Sequence, residues 1–487
     1  MTDSHKKSLL SGLFWILTAN LIVKPFWLLG IEVGVQNAVG AEMYGFYFGI
    51  FNITYIFNIL LDLGITNFNT RNIAQHPQLI GKHLPALLGI KVLLLGLYVV
   101  VTFSVGALLG YEALQFRLLA LLTFNQFLNS LLLYLRSNFE GLLLFRWDSL
   151  LSVLDRVLMI VICGLLLWGP GVGAGRRMTV MHFALAQTVA YLLTAALALT
   201  VLIRKTGLRG LRFNRPFTMA ILKQSLPFAL LVLLMASYNR IDPVLLQKLS
   251  PAGTGNHNAG IYAGAFRLLD ALTMVVYLIS VPLLPVFSKM VKQPGSGEVL
   301  RSTLRLMTGL VAVFAIGASC ALAAESEELM ALFYRTDIEQ YAAVFGILIF
   351  GIIPIGVTYV YGTLLTAGGE LRRLNLFATG ALVLNVVVNL VCIPRWGTVG
   401  SAWAGLSAQT MMALAQLVAA LRIYEIKPSG LYILKLGVYT LCVIAVAWLG
   451  RWLSWWQTLA AVAAVGLALA LLLQLVDLRE IAKTLRN

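Results

Sequence analysis

Residues 83–109 read HLPALLGIKVLLLGLYVVVTFSVGALL, a run in which Lys91 is the lone Lys, Arg, Asp or Glu. At about 1.5 Å of rise per residue it makes a helix of roughly 40 Å, longer than the ~30 Å hydrocarbon core of a bilayer. Runs of similar size recur on both sides of it, at approximately 9–36, 42–69, 114–139, 147–169, 178–203, 217–247, 258–288, 303–323, 340–368, 374–394, 398–421, 431–450 and 455–476. Fourteen spans are therefore expected. The composition agrees, with 60% hydrophobic and 11% charged residues and a mean hydropathy of +0.87, against about 25% charged in soluble domains. The expected fold class is an all-α integral membrane protein of about 14 transmembrane helices. Long apolar runs, rather than short alternating strands, exclude a β-barrel.

The net charge of +16 is a topology signal. Loop Lys and Arg residues fall on alternate sides of the spans. One side collects Lys6, Lys7, Arg71, Lys82, Arg136, Arg146 and the stretch from Arg204 to Lys223, then most of the later loop cations. The other side holds only Arg176, Arg177, Lys248, Arg335, Arg395 and Arg451. The positive-inside rule then places both termini in the cytoplasm, which an even number of spans satisfies, and leaves no nucleic-acid partner to expect. The first run is too long for a signal-peptide core and is read as a retained helix. Cys163, Cys320, Cys392 and Cys442 lie within spans without metal-like spacing, so neither a disulfide nor a metal is expected.

An internal repeat divides the chain. Gly45-Phe46-Tyr47-Phe48-Gly49 opens the second span and Gly260-Ile261-Tyr262-Ala263-Gly264 opens the eighth, with Phe51 and Phe266 continuing at the same offset of 215 residues. Six helices separate the copies, so both halves share one orientation, as in transporters that bind cargo between parallel repeats. Each Gly-x-x-x-Gly also permits close helix approach, which is common in membrane helices whether or not they repeat. The expected division is 1–205 as a first six-helix lobe and 206–425 as a second that includes the basic cytoplasmic linker. Residues 426–487 then form two further helices and a cytoplasmic C-terminus, read either as a lipid-facing appendage or as a flank for a long lipid tail.

Six basic residues lie inside these spans: Lys24, Lys91, Arg117, Arg156, Arg240 and Arg267. A cation at the membrane centre costs about 2.5–3.5 kcal/mol even on lenient insertion scales, so several of them together suggest a polar cavity suited to an anionic cargo. Lys24 is near the middle of the first span and precedes Pro25, a helix-kinking residue; it reads as a cargo ligand or as a structural ion-pair partner. Arg240 and Asp242 are two residues apart and do not face each other, whereas Arg267 and Asp270 are three apart and can pair. Asp155 and Arg156 are adjacent and expected to point apart. Lys91 and Arg117 lie nearer to span ends and are expected to snorkel. The candidate cargo-binding residues are Lys24, Arg156, Arg240 and Arg267, and the candidate ion-coupling residues are Asp62, Asp242 and Asp270. The interior amides Asn52, Asn58, Asn125, Gln126, Asn129, Asn385 and Asn389 are read first as links between helices.

Three segments resemble one family. Gly40 to Gly49 running on through Asp62-Leu63-Gly64 to Arg71 resembles the opening of bacterial polysaccharide (O-antigen-type) flippases, members of the multidrug/oligosaccharidyl-lipid/polysaccharide exporter superfamily. Asp242 followed by Ala259-Gly-Ile-Tyr262-Ala and Arg267-Leu-Leu-Asp270 is similar to the same family. So is Asn385 to Asn389 followed by Ile393-Pro394 and Gly397 to Ala402. The resemblance implies two six-helix lobes in a V with two extra helices, alternating access, and no enzymatic activity. Its implied cargo is a polyprenyl-pyrophosphate-linked oligosaccharide turned from the cytoplasmic to the outer leaflet of the bacterial inner membrane, for polysaccharide or lipopolysaccharide synthesis. Also implied are coupling to an H+ or Na+ gradient or to membrane potential, no cofactor, and membrane lipids and polysaccharide assembly proteins as partners. A peptidoglycan-precursor flippase and a multidrug exporter are the alternatives from the same superfamily. A membrane glycosyltransferase or polymerase would need a substantial outer loop, and the acidic segment 324–339 is its lone candidate.

Overall fold

The computed structural model describes residues 23–476 apart from 76–77, 79, 170–177, 207–214, 281–282, 294, 296 and 428. Every regular element among them is helical. Eleven helices are long and apolar enough to cross a membrane, and twelve if one bent pair counts as a span, as suits a multi-pass membrane protein.

Two features account for the shortfall from fourteen. Half of the first expected run lies outside the described residues, which begin within it at Val23. The eleventh and twelfth runs are joined in one 53-residue helix, Leu371–Ile423. Such a helix would be about 80 Å long, far beyond a bilayer. It does not run straight: Gly397 has φ 53° and ψ −127°, a left-handed conformation that a residue without Cβ adopts at no steric cost. The break falls between the two runs expected at 374–394 and 398–421.

The chain divides into two compact units, Met1–Gln247 and Lys248–Asn487. The first contains a π-helical turn at Trp27–Glu32, α1 (Val33–Val39), α2 (Ala41–Ile56), α3 (Ile65–Gln75), α4 (Ile80–Leu108), α5 (Ala113–Gly141), α6 (Phe145–Trp168), α7 (Val180–Thr206) and α8 (Arg215–Arg240). α5 is its centre, packing on α2, α3, α4, α6 and α7. The buried amide of Asn125 ties α5 to α7, donating to the Ala184 carbonyl at 2.9 Å and accepting from Thr188 at 2.6 Å. That is the linking role expected of it. α8 packs against α2 and so groups with the first unit, although the repeat in the sequence assigns it to the second lobe.

α9 (Asp242–Leu249) follows α8 across a bend of 47°. The second unit then contains α10 (Gly255–Ser280), α11 (Leu283–Lys292), α12 (Gly297–Ala324), α13 (Ser326–Phe333), α14 (Ile338–Ala367), α15 (Leu371–Ile423), α16 (Gly430–Leu449) and α17 (Trp455–Leu472). α16 and α17 pack on α12 through Tyr439, Val443, Val462 and Ile316, and the Tyr439 hydroxyl donates to the Val313 carbonyl at 3.0 Å. Their other faces expose Leu441, Trp448, Leu467 and Leu472, as helices bordering lipid do.

Candidate functional site

In the first unit the embedded charges gather around Arg156 of α6. Its guanidinium lies 5.6 Å from the Trp27 ring centre and 6.0 Å from that of Tyr191 on α7. Trp27 is itself braced. It stacks on Phe183 at 5.8 Å, Phe183 meets the edge of Tyr47, and the Gln187 amide donates to the Tyr47 hydroxyl at 3.0 Å. Arg156 Nε is 3.6 Å from an Asp155 carboxylate oxygen. This corrects the expectation that the two point apart: neighbouring Cα–Cβ bonds diverge by about 100° on a helix, but the long arginine side chain folds back to the short one. Arg156 keeps 28% of its side chain exposed. Lys24 lies within electrostatic reach of Arg156, Arg136 and Asp155, and Glu32 is also within reach of Arg156. Glu32 accepts a hydrogen bond from Tyr44 at 3.3 Å. Two of the four candidate cargo cations are thus brought together here.

Arg240 ends α8, with its guanidinium 5.1 Å from the Tyr55 ring centre. Beyond the bend, Asp242 is buried in the first turn of α9, where the positive end of the helix dipole favours a carboxylate. One turn on, the Gln247 amide donates to the Gly45 carbonyl at 2.9 Å. A Cβ on Gly49 would collide with that same amide. The glycine pair of the first repeat is therefore the seat of α9.

Asp62 follows the 3-10 turn that ends the second span. Its carboxylate is 2.7 Å from Lys91 Nζ and accepts from both the Thr66 hydroxyl and its amide at the start of α3. Lys91 also donates to the Ser130 hydroxyl at 2.8 Å, and its side chain is 1% exposed. The expected snorkelling of Lys91 is overturned: its partner lies beside it in the protein, so the ammonium has no need to reach the membrane surface. Arg117 is exposed, as snorkelling requires.

In the second unit Arg267 is 3% exposed and its Nη1 donates to the Tyr334 hydroxyl at 2.8 Å. Tyr334 stacks on Tyr341, with ring centres 4.0 Å apart. A Cβ on Gly264 would run into both rings, so the second glycine pair seats these aromatics. Asp270 is half-buried on the same helix. Asn389 donates to the Asn385 side chain at 2.9 Å, a packing contact. Among the described residues no three His, Cys, Asp or Glu side chains group as a metal site would.

Sequence reading missed Trp27, Tyr191, Ser130 and Tyr334. For Trp27 a signal was present, because three residues after Lys24 puts it on the same helix face. For the others it was not, since each meets its cation across a tertiary contact.

Residues 9–291 match the family described as polysaccharide biosynthesis protein. No curated protein matches the chain in sequence. Among solved structures it is similar to a lipid II flippase, MurJ, in an inward closed conformation, at 14% identity and a TM-score of 0.68, covering 93% of this chain and 97% of that one. It is also similar to an inward-facing multidrug-resistance MATE transporter of the MOP superfamily, at 15% identity and a TM-score of 0.62 over 82% and 94% of the two chains. A MOP superfamily transporter from Pyrococcus furiosus shares 14% identity at a TM-score of 0.56 over 86% and 96%. At these identities the likeness is one of fold.

Proposed function

The chain belongs to the polysaccharide biosynthesis protein family, and from that premise we propose that it flips a polyprenyl-pyrophosphate-linked oligosaccharide across the bacterial inner membrane. Cargo moves from the cytoplasmic to the outer leaflet by alternating access, with both termini in the cytoplasm. The observation that carries this reading is the part-exposed Arg156 side chain with Lys24 in electrostatic reach. The two cations disfavour each other, Asp155 offsets part of that, and a pyrophosphate beside both would offset more. Arg240 adds a third cation. Arg267 would join the cargo while still bonded to Tyr334, because a guanidinium fork has donors for both.

Transport against a gradient requires coupling to H+, Na+ or membrane potential, and Asp62, Asp242 and Asp270 are the carboxylates proposed to carry it. Asp62 would do so by surrendering Lys91 when it takes up a proton or ion. Polysaccharide assembly proteins are the proposed partners that supply and consume the glycan.

A second reading, flipping of a peptidoglycan precursor, is favoured by the fold likeness to the lipid II flippase. A multidrug exporter fits less well, since interior cations disfavour cationic drugs. The outer segment proposed for an enzyme holds the short helix α13, with Glu327 and Glu328 in its first turn, where acids suit the helix dipole without further purpose.

The test is flipping of a fluorescent polyprenyl-pyrophosphate glycan in reconstituted vesicles, under imposed proton and sodium gradients. Protein-dependent flipping that is lost in Arg240→Ala or Arg267→Ala variants of normal fold is the expected result. Lipid II flipped in preference to the glycan would favour the second reading, and neither cargo flipped would overturn both.

A further inference from the structure

We infer that Trp27 and Tyr191 are positioning residues that clamp the Arg156 guanidinium, so that Arg156 and Lys24 present a rigid two-cation receptor for a pyrophosphate group. The inference rests on the function proposed above and names the headgroup subsite within it.

The clamp is built from two elements. Trp27 comes from the π-helical turn and Tyr191 from α7, and both rings lie within about 6 Å of the Arg156 guanidinium on α6. A guanidinium is held over aromatic faces by the ring quadrupole, most strongly by Trp. Trp27 is buried and backed by Phe183, so it does not yield when the cation presses on it. Asp155 takes the Nε edge at 3.6 Å. Nη1 lies 3.6 Å from the Met159 sulfur, which is a weak acceptor. The Tyr191 hydroxyl accounts for one further interaction. A guanidinium has more donors than these three partners accept, and the group is open to its surroundings. An arginine otherwise samples many rotamers, and fixing its plane removes the ordering cost at the moment of binding. An edge of the fork would then meet two phosphate oxygens in the bidentate geometry that arginine favours.

Lys24 and Trp27 are three apart and share a helix face. The π-helical turn that starts at Trp27 is an element frequent at functional sites.

The experiment measures inorganic pyrophosphate binding to the purified full-length protein by calorimetry. Trp27→Leu is expected to weaken binding about tenfold and Trp27→Phe by less than about threefold, because the smaller ring keeps most of the cation–π contact. Arg156→Gln should remove binding. Tyr191→Leu set against Tyr191→Phe repeats the comparison from α7, should Trp27→Leu lower the melting temperature. The clamp is overturned if Trp27→Leu and Tyr191→Leu both bind as wild type does. It is equally overturned if the Phe variants fail as badly as the Leu variants while melting normally. Wild-type protein that flips the glycan without binding pyrophosphate overturns the subsite and keeps the proposed function. The expected binding pattern in a protein that flips nothing keeps the clamp and removes that function.

Discussion

The two compact units hold their embedded arginines in opposite ways. In the first, Arg156 lies near two rings with 28% of its side chain exposed. In the second, Arg267 is closed in and bonded to the Tyr334 hydroxyl. The units share a scaffold, for Gly49 and Gly264 stand at equivalent repeat positions and each seats a side chain that a Cβ would displace. The seated group differs: a flexible glutamine amide in one, a stacked tyrosine pair in the other. Repeated small residues preserve how helices approach, while the polar residues around them are free to diverge. One unit keeps a cation available and the other keeps one locked.

This contrast is open to attack at several points. The largest effect is expected from Lys91→Met, which leaves the Asp62 carboxylate without its 2.7 Å partner and should cost about 3–5 kcal/mol. A melting curve in detergent reads the loss, and Asp62→Asn combined with Lys91→Met should regain part of it. Undiminished stability would mean that the pair is not structural and would strengthen Asp62 as a coupling site. Tyr334→Phe comes next. It strips Arg267 of a buried acceptor, at a cost of about 1.5–3 kcal/mol. Then the glycines: Gly264→Ala should destabilise by roughly 1–3 kcal/mol because two stacked rings must move. Gly49→Ala should cost less, since only the end of Gln247 has to give way. Equal losses at both positions would erase the difference between the two seats. Smallest is Arg156→Gln, for which stability should fall by about 1 kcal/mol or less, the worth of a part-exposed ion pair and ring contact.

The fold was legible because lipid imposes one simple demand, a long apolar helix, and the run around Lys91 meets it openly. The break between the eleventh and twelfth runs was legible too, since it falls at Gly397 between 394 and 398. Gly45 and Gly49 announced a close approach, although what approaches, Gln247 from beyond the α8 bend, lies two hundred residues away in the chain. Charges could be placed on helices but not paired. Lys91 looked like a snorkelling residue because Asp62, 29 residues earlier, becomes its neighbour only when the helices pack. Arg267 and Asp270 drew attention as a pair along one helix, while Tyr334, which accepts a hydrogen bond from Arg267, lies 67 residues on. Spacing reads a single helix well, and a buried charge is settled by the helix next to it.

The most direct measurement is flipping of the fluorescent polyprenyl-pyrophosphate glycan by Arg156→Gln in reconstituted vesicles, beside its melting curve. If the available cation of the first unit holds the cargo, flipping should fall at least about tenfold, the worth of one charge-assisted hydrogen bond, while melting stays close to wild type. Flipping at the wild-type rate would contradict that claim.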